Sequence, residues 1–284
     1  MTSLKASLLH IRDSISSKII NKLGKDVSST RRYLELVQIL VERNLKGRYR
    51  GSFLGVYWSL LNPLIMTGLY AAIFGTAFGE YYQDSTFRYI LAAFTGLIVI
   101  NFFSSSTSQA LSSVVGNGAL LNKVHLPVTV FPVAMIVANI FQFIVGSLPL
   151  LAVVTLIMSR NPINVLALLF PLIALSLVCT GVGFLVSALY VFFRDLPYFY
   201  ELVCFVLWIS SPVFYPAEIV PSAVKPFLFF NPLIPIIESI RQISLSGALP
   251  DMLLVLHSFL NGIILLVLGW IYFRSWQKNF MDLL

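Results

Sequence analysis

The sequence predicts an all-α membrane protein, and its composition and hydropathy both lead to that fold class. Of 284 residues, 58% are hydrophobic and 11% are charged, whereas a soluble domain has roughly 25% charged residues. Long apolar stretches follow residue 52, and a helix needs roughly 20 apolar residues to cross a bilayer core. Because lipid cannot pair with backbone N–H and C=O groups, we expect these stretches to be helices.

Six of these stretches predict six transmembrane helices. Five contain no Asp, Glu, Lys or Arg, and the other contains only Glu201, near one end. Transporters driven by ion gradients usually hold ionisable groups inside the membrane, so we expect the energy for any transport to come from outside this chain. The predicted spans are about residues 53–79, 89–112, 128–159, 164–193, 197–215 and 252–273.

The charged residues are unevenly distributed, and this predicts the orientation. The net charge is +7, and 11 of the 19 Lys and Arg residues precede residue 53. Basic residues beside the first span are typical of a cytoplasmic N-terminus, so they do not indicate a nucleic-acid partner. Alternating six spans from there places both termini in the cytoplasm. Cys179 and Cys204 fall in apolar spans and predict neither a disulfide nor a zinc site.

Two segments precede the first span. Residues 1–30 are rich in Ser, Lys and Ile and are interpreted as a cytoplasmic N-terminal tail. Residues 31–50 place apolar side chains at helical spacing between charged ones, which predicts an amphipathic helix at the membrane–water interface. This helix is either an anchor that fixes the orientation or one that also contacts a partner protein. The six-span domain itself is expected over residues 53–284.

Two cytoplasmic loops contain candidate contact residues. Residues 115–127 form a longer connection than two helices require, and they predict a short helix capped by Asn117 and ended by the following proline. His125 stands alone in this loop, which favours a surface contact over a metal site. The other loop contains Arg194 and Asp195, and it is either a simple turn or a link between the inner ends of two spans.

An outer segment, residues 210–249, is rich in proline. Within it, residues 224–230 and 233–243 are too short to span the membrane and too apolar for a hydrated loop. Stretches of this length are commonly re-entrant or interfacial, and irregular backbone at membrane depth needs protein or water around it. We predict two short re-entrant helices that dip from the outer side. The alternative is a loop that lies on the outer leaflet.

Several motifs occur in a characteristic order along the chain. They are LKGRYRGSFLGVYWSLLNP at residues 45–63, then Asn117, Leu120-Leu121, Lys123-Val124, Pro127 and Pro132, then FFRD at 192–195, SPVFYP at 211–216 and Asn231-Pro232. This ordered set resembles the permease subunits of ABC polysaccharide exporters, which are type-two ABC transporter permeases that handle O-antigen, teichoic acid and capsular glycans. The resemblance extends from about Arg31 to the C-terminus, although His125 stands where an aromatic residue is common.

The resemblance implies a homodimer that moves lipid-linked polysaccharide across the bacterial inner (plasma) membrane together with two copies of a separate ABC ATPase. The chain has no G-x-x-x-x-G-K-[ST] loop to cradle nucleotide phosphates. We therefore expect ATP and Mg to bind to the partner, and this chain to be neither an enzyme nor the holder of a cofactor. The residues that the resemblance assigns to ATPase coupling are Asn117, Leu120, Leu121, Lys123 and His125.

A path for a hydroxyl-rich polymer needs aromatic faces for sugar C–H groups, and hydroxyls or amides for hydrogen bonds. The predicted channel residues are Tyr57, Trp58, Asn62, Tyr70, Phe74, Phe94, Asn101, Phe102 and Gln109. Lipid contact is the alternative for each aromatic residue. A lipid-pyrophosphate head would seek cations at the inner surface, where Arg48 and Arg50 precede the first span. The predicted outer gate comprises Pro212, Tyr215, Pro216, Phe227, Phe229, Asn231 and Pro232.

Other function classes fit the sequence less well. A secondary transporter needs carboxylates near the bilayer midplane, and only Glu201 is available. A membrane enzyme needs clustered Asp, Glu or His, whereas His10, His125 and His257 lie far apart in the sequence. A type-two permease for a drug or a lipid is the closest alternative. The proline-rich outer segment and the aromatic first span favour a glycan.

Overall fold

The computed structural model describes residues 29–82, 85–228, 230–247 and 251–283. Most of these residues lie in helices, and the first 28 residues of the predicted tail lie outside the described ranges. The α-helices, in chain order, are α1 Ser29–Tyr49, α2 Trp58–Phe78, α3 Thr86–Ser113, α4 Gly118–Leu121, α5 Val130–Ser159, α6 Pro162–Ala167, α7 Leu169–Phe192, α8 Leu196–Ser210, α9 Lys225–Leu228, α10 Ile234–Arg241, α11 Met252–Trp276 and α12 Phe280–Leu283.

Five helical segments of the described chain are long and apolar enough to cross a membrane. They are Gly55–Tyr82, Thr86–Ser113, Val130–Ser159, Pro162–Phe192 and Met252–Asn279. These segments correspond to five of the six predicted spans, and they confirm the all-helical membrane class.

The remaining predicted span, residues 197–215, contains a shorter helix than its apolar run suggested. α8 has 15 residues, or about 22 Å at 1.5 Å per residue, whereas a bilayer core is roughly 30 Å thick. Ser211 is extended, with φ −83° and ψ 135°, because the ring of Pro212 disfavours the helical conformation in the residue before it. The apolar run therefore continues past the end of the helix.

α3 is the most enclosed of the long helices. In the most apolar 18-residue stretch of α3, 78% is buried inside the protein. The corresponding share is 17% in each of the segments that contain α2 and α11. α3 contacts α2, α5, α7, α8 and α10, and its N-terminal half contributes Phe94, Leu97 and Ile98 to the main hydrophobic core. The largely exposed faces of α2 and α11 are available to lipid or to another subunit.

α7 and α11 lie against each other at two glycines. A Cβ atom at Gly181 would lie 2.3 Å from the carbonyl carbon of Leu265, and one at Gly269 would lie 2.1 Å from the carbonyl oxygen of Gly181. Any larger residue would push the helices apart, so small residues here fix the last span against α7.

α1 packs on the ends of the long helices that are predicted to face the cytoplasm. Leu36, Val37 and Leu40 of α1 are buried in a cluster that includes Leu121 of α4 and Phe131 of α5. The helix predicted for residues 31–50 is present, and part of its apolar stripe contacts protein.

Helices occur in both apolar pieces of the outer segment, but they differ in packing. α9 is a single turn in which Lys225 and Pro226 are exposed. α10 continues as a π-helical turn, Gln242–Ser246, and buries Ile236, Ile237 and Ile240 against α3, α7 and α11. α10 is therefore part of the hydrophobic core, whereas α9 lies at the surface.

Candidate functional site

A cavity of about 360 Å³ opens where the end of α1 meets α2, α3 and α5. Its wall includes the predicted channel residues Trp58, Asn62, Asn101 and Phe102, together with the predicted entrance residue Arg48. Two aromatic rings, two amides and a cation from distant parts of the sequence thus share one cavity. The other lining residues are Tyr49, Ser52, Gly55, Ser59, Pro63, Ile98, Ser105, Asn139, Gln142, Phe143 and Ser147.

The guanidinium of Arg48 is held in this wall by neutral side chains. Its Nη1 donates to Asn139 Oδ1 at 3.2 Å and to Gln142 Oε1, and its Nη2 donates to Gln109 Oε1. All three acceptors are amide oxygens. These contacts orient the guanidinium without cancelling its positive charge.

The amides that hold Arg48 also bond to one another. Gln109 donates through Nε2 to Ser105 Oγ at 2.8 Å, and Asn139 donates through Nδ2 to Gln109 Oε1 at 3.0 Å. The Ser105 hydroxyl donates to Asn139 Oδ1 at 3.2 Å. A paired network of this kind rigidifies its members, whereas an unpaired amide between apolar helices would be costly.

Asn139 and Gln142 were not among the residues predicted from the sequence, although a signal was present. Both are amides in the apolar span of residues 128–159, three residues apart and therefore on one helix face. Like Asn62 and Gln109, each carries an amide that is costly to expose to lipid.

The C-terminal half of α3 carries a polar face that starts at this cavity. Asn101, Ser105, Ser108, Gln109 and Ser112 fall within about 100° of the helix circumference at 3.6 residues per turn. Ser108 and Ser112 are exposed, whereas Ser105 and Gln109 are partly buried. Hydroxyls and amides therefore lead from the cavity towards the inner end of α3.

The remaining predicted channel residues lie elsewhere. Phe94 is 3% exposed and belongs to the core, and Tyr57 is 63% exposed at the start of the first span. Tyr70 and Phe74 join an aromatic cluster near the outer side, where Tyr70 stacks on Phe214 with ring centroids 5.3 Å apart. Arg50 lies exposed on the turn after α1, away from the cavity wall.

The predicted coupling segment, residues 117–126, is tied directly to α1. Arg43 Nη2 donates to Asn117 Oδ1 at 2.9 Å, and Asn117 Nδ2 donates to the carbonyl oxygen of Ser113 at 2.7 Å. The prediction that the Asn117 side chain caps a helix was wrong, because this amide instead satisfies a carbonyl at the end of α3. The helix itself, α4, is only one turn long.

The other predicted coupling residues divide into an anchored and an exposed set. Leu121 is 2% exposed, and Leu120 packs partly buried in the same inner cluster. Lys123 and His125 are exposed. The leucines fix the segment, and the polar residues present a surface.

The loop with Arg194 and Asp195 contacts the C-terminal residues. Arg194 Nη2 donates to the carbonyl oxygen of Leu283 at 2.9 Å, and its guanidinium lies 6.0 Å from the ring centroid of Tyr190. Asp195 is exposed at the start of α8. The loop is therefore more than a simple turn.

Most of the predicted outer gate converges on residues 211–216, here called the outer strap. Pro212 and Pro216 are buried within it, and the Tyr215 hydroxyl donates to the carbonyl oxygen of Ile209 at 3.0 Å. Asn231 donates to the Ser211 hydroxyl at 2.9 Å. Pro232 follows Asn231 and is partly buried. Phe229 and the side chain of Phe227 lie outside the described residues.

Comparison with known proteins places the chain in a family. The sequence matches the family described as "ABC-2 type transporter" over residues 35–245. The O-antigen export system permease protein RfbA of Myxococcus xanthus is 30% identical over 254 residues, which cover 88% of this chain and 95% of that protein. RfbA of Klebsiella pneumoniae is 28% identical over 252 residues, with the same two coverages. The polysialic acid transport protein KpsM of Escherichia coli is 22% identical over 250 residues, which cover 85% of this chain and 93% of that protein.

The family match includes the end of α1, the predicted coupling segment and the outer strap. The chain belongs to the ABC-2 type transporter family.

Proposed function

We propose that this chain is the membrane-spanning permease half of an ATP-driven exporter of lipid-linked polysaccharide. The observation that carries the proposal is the cavity in which Arg48, amides and aromatic rings meet. The names of the relatives, which describe O-antigen export and polysialic acid transport, support the same substrate class. The glycan is of the O-antigen, teichoic acid or capsule type.

The cavity suits the two parts of such a substrate. A guanidinium forms charge-assisted bonds with phosphate oxygens, so Arg48 would bind the phosphate-bearing head of the lipid carrier, while Arg50 on the exposed turn after α1 would attract it to the entrance. Asn62 and Asn101 would hydrogen-bond sugar hydroxyls, and Trp58 and Phe102 would contact sugar C–H faces. Binding cavities of roughly 300–1,000 Å³ are typical for small molecules, so about 360 Å³ accommodates the head and its first sugar.

The proposed partners are a second copy of this chain and the ATPase that the family implies. The permease works as a homodimer with two copies of a separate ABC ATPase, which binds ATP and Mg, and this chain holds no cofactor of its own. The joint between Arg43 and Asn117 supports a role for α1 and α4 in coupling, because it links the interface helix to the exposed Lys123 and His125. Membrane lipids surround the exposed apolar faces.

The proposed layout has six crossings of the bacterial inner membrane, with both termini in the cytoplasm. α8 makes the fifth crossing despite its length, because the apolar outer strap extends it. α1 lies at the inner interface, and α9 and α10 enter the outer leaflet without crossing it.

Substitution of Arg48 tests the proposal. In cells that contain the partner ATPase, Arg48→Gln should abolish display of the glycan at the cell surface, because the substrate head loses its cation. Arg48→Lys, which keeps the charge but not the planar fork, should retain part of the activity. Arg31→Gln is the matched control, since Arg31 is exposed on the same helix. Normal display with Arg48→Gln, at equal protein abundance, would contradict the proposal.

A further inference from the structure

Arg241, the last residue of α10, connects three elements of the outer half. Its Nε and Nη2 donate to the carbonyl oxygen of Ala92 in α3, at 3.2 and 3.1 Å. Its Nη2 also donates to the carbonyl oxygen of Val213, at 2.8 Å. One side chain therefore binds α10, α3 and the outer strap together.

α3 is shaped to receive this guanidinium. A helical carbonyl oxygen is normally screened by the side chain one turn further on, and for Ala92 that residue is Gly96. A Cβ atom at Gly96 would lie 3.1 Å from Val213 Cα and 3.3 Å from Arg241 Nη2. The glycine leaves the carbonyl open and makes room for both partners.

Other buried bonds hold the same elements. The Tyr89 hydroxyl donates to the carbonyl oxygen of Phe214 at 2.9 Å, which adds a second tie between α3 and the outer strap. Beyond α10, the Thr155 hydroxyl donates to the Ser244 hydroxyl at 2.9 Å. Breaking such bonds in a buried setting would leave polar groups unpaired, which is costly.

The charge of Arg241 adds to that cost. Burial lowers the pKa of Arg241, while Tyr82, Glu238 and Glu218 act in the opposite direction. A guanidinium stays protonated in proteins, so moving it away from the carbonyls would leave its charge without these acceptors.

Residues 217–228, here called the outer flap, are packed differently. A cavity of about 500 Å³ lies between the flap and α8, and one of about 370 Å³ lies between the flap, α10 and α11. Leu228 lines both, and residues 221–226 are exposed. These two cavities leave room for the flap to shift.

We propose that Arg241 is a positioning residue that fixes the outer strap and α10 as an immobile rim of the outer opening, so that only the outer flap moves when substrate passes. The assignment of an outer opening rests on the proposed export function. The division into rim and flap rests on the contacts alone.

Hydrogen–deuterium exchange of the permease–ATPase complex in nanodiscs tests this without any glycan. Exchange in the strap and α10 should be equally slow with and without ATP, whereas the flap should exchange faster during turnover. Arg241→Met should speed strap exchange by about tenfold, as expected for losing a charged hydrogen bond. Arg160→Met is the control, because Arg160 is exposed on the same side. ATP-dependent exchange in the strap of the unaltered protein would overturn the proposal.

Cross-linking provides a second test that does not require Arg241 variants to fold. In an export-competent background with Cys179 and Cys204 replaced, Thr155→Cys with Ser244→Cys puts two thiols where two oxygens lie 2.9 Å apart. Oxidation of this pair should leave export unchanged, and a block of export that is reversed by reductant would overturn the proposal.

A second cross-link holds the flap. Leu228→Cys with Leu254→Cys, bridged by a bifunctional maleimide, should stop export, and undiminished export would also overturn the proposal. Absence of glycan export by the wild-type chain itself would count instead against the export function.

Discussion

Arg48 is held by amide oxygens where a carboxylate would have given a stronger partner. An ion pair would neutralise the guanidinium, and an incoming phosphate would then have to displace a charge. Amides orient the guanidinium without neutralising it, so its charge can attract the phosphate of the ligand. Gln109, Asn139 and Gln142 are therefore interpreted as positioning residues for Arg48.

Neither the packing of α1 against α5 nor the contacts it creates could be predicted from sequence, since residues 48 and 139 meet only in the folded chain.

Introducing the missing carboxylate tests this interpretation. Gln142→Glu keeps the side-chain shape but places an anion against Arg48, and such a contact is worth on the order of 2 kcal/mol. Because about 1.4 kcal/mol is a tenfold change, glycan export should fall by about tenfold or more at equal protein abundance. Gln38→Glu, which adds the same charge at an exposed position of α1, should export normally. Unchanged export with Gln142→Glu would rule out a role for the free charge.

Individual elements differ in how well the sequence predicts them. The long spans follow from apolar runs, because lipid enforces helices there, and their positions agree with prediction. The end of α8 was missed because hydropathy continues past Pro212, although the proline itself marks the boundary. Asn117 was assigned a capping role from local sequence alone, whereas its partners are Arg43 and the end of α3. Arg241 was not predicted at all, because its acceptors are backbone carbonyls that carry no sequence signal.

The joint between α1 and the coupling segment gives an element-scale prediction. Arg43→Gln and Asn117→Ala should each lower the number of glycans exported per ATP hydrolysed by the assembled complex. The reason is that a movement of α4 would no longer be transmitted to α1 through this hydrogen bond. A charged hydrogen bond contributes about 1.5–3 kcal/mol, and the double variant should be no worse than either single one, as expected for partners in one contact. Arg31→Gln is the control. Strictly additive losses would show that the two residues act separately.

At the scale of the whole molecule, the number of crossings depends on α8. His125 and Val224 are both exposed, and α5, the α6–α7 segment and α8 lie between them. Three crossings put the two residues on opposite sides of the membrane, whereas two crossings put them on the same side. α8 is too short for its length to decide the matter, and the adjoining outer strap supports a third crossing.

Thiol labelling of intact cells settles the layout. In a background without Cys179 and Cys204, Val224→Cys should react with a membrane-impermeant maleimide from outside, and His125→Cys should react only after the membrane is opened. The two variants serve as controls for each other. If neither residue reacts until the membrane is opened, α8 does not cross the membrane. If only His125→Cys reacts from outside, the orientation is the reverse of the proposed one.

Transport in reconstituted vesicles tests the proposed function most directly. The permease is assembled with its partner ATPase in proteoliposomes, a lipid-linked glycan is supplied on the ATPase side, and appearance of the glycan on the opposite side is measured over time. ATP should drive glycan across with the wild-type chain and not with Arg48→Gln, and the permease alone should hydrolyse no ATP. ATP-dependent movement of an apolar drug or a plain phospholipid, with no movement of the glycan, would contradict the assignment to polysaccharide export.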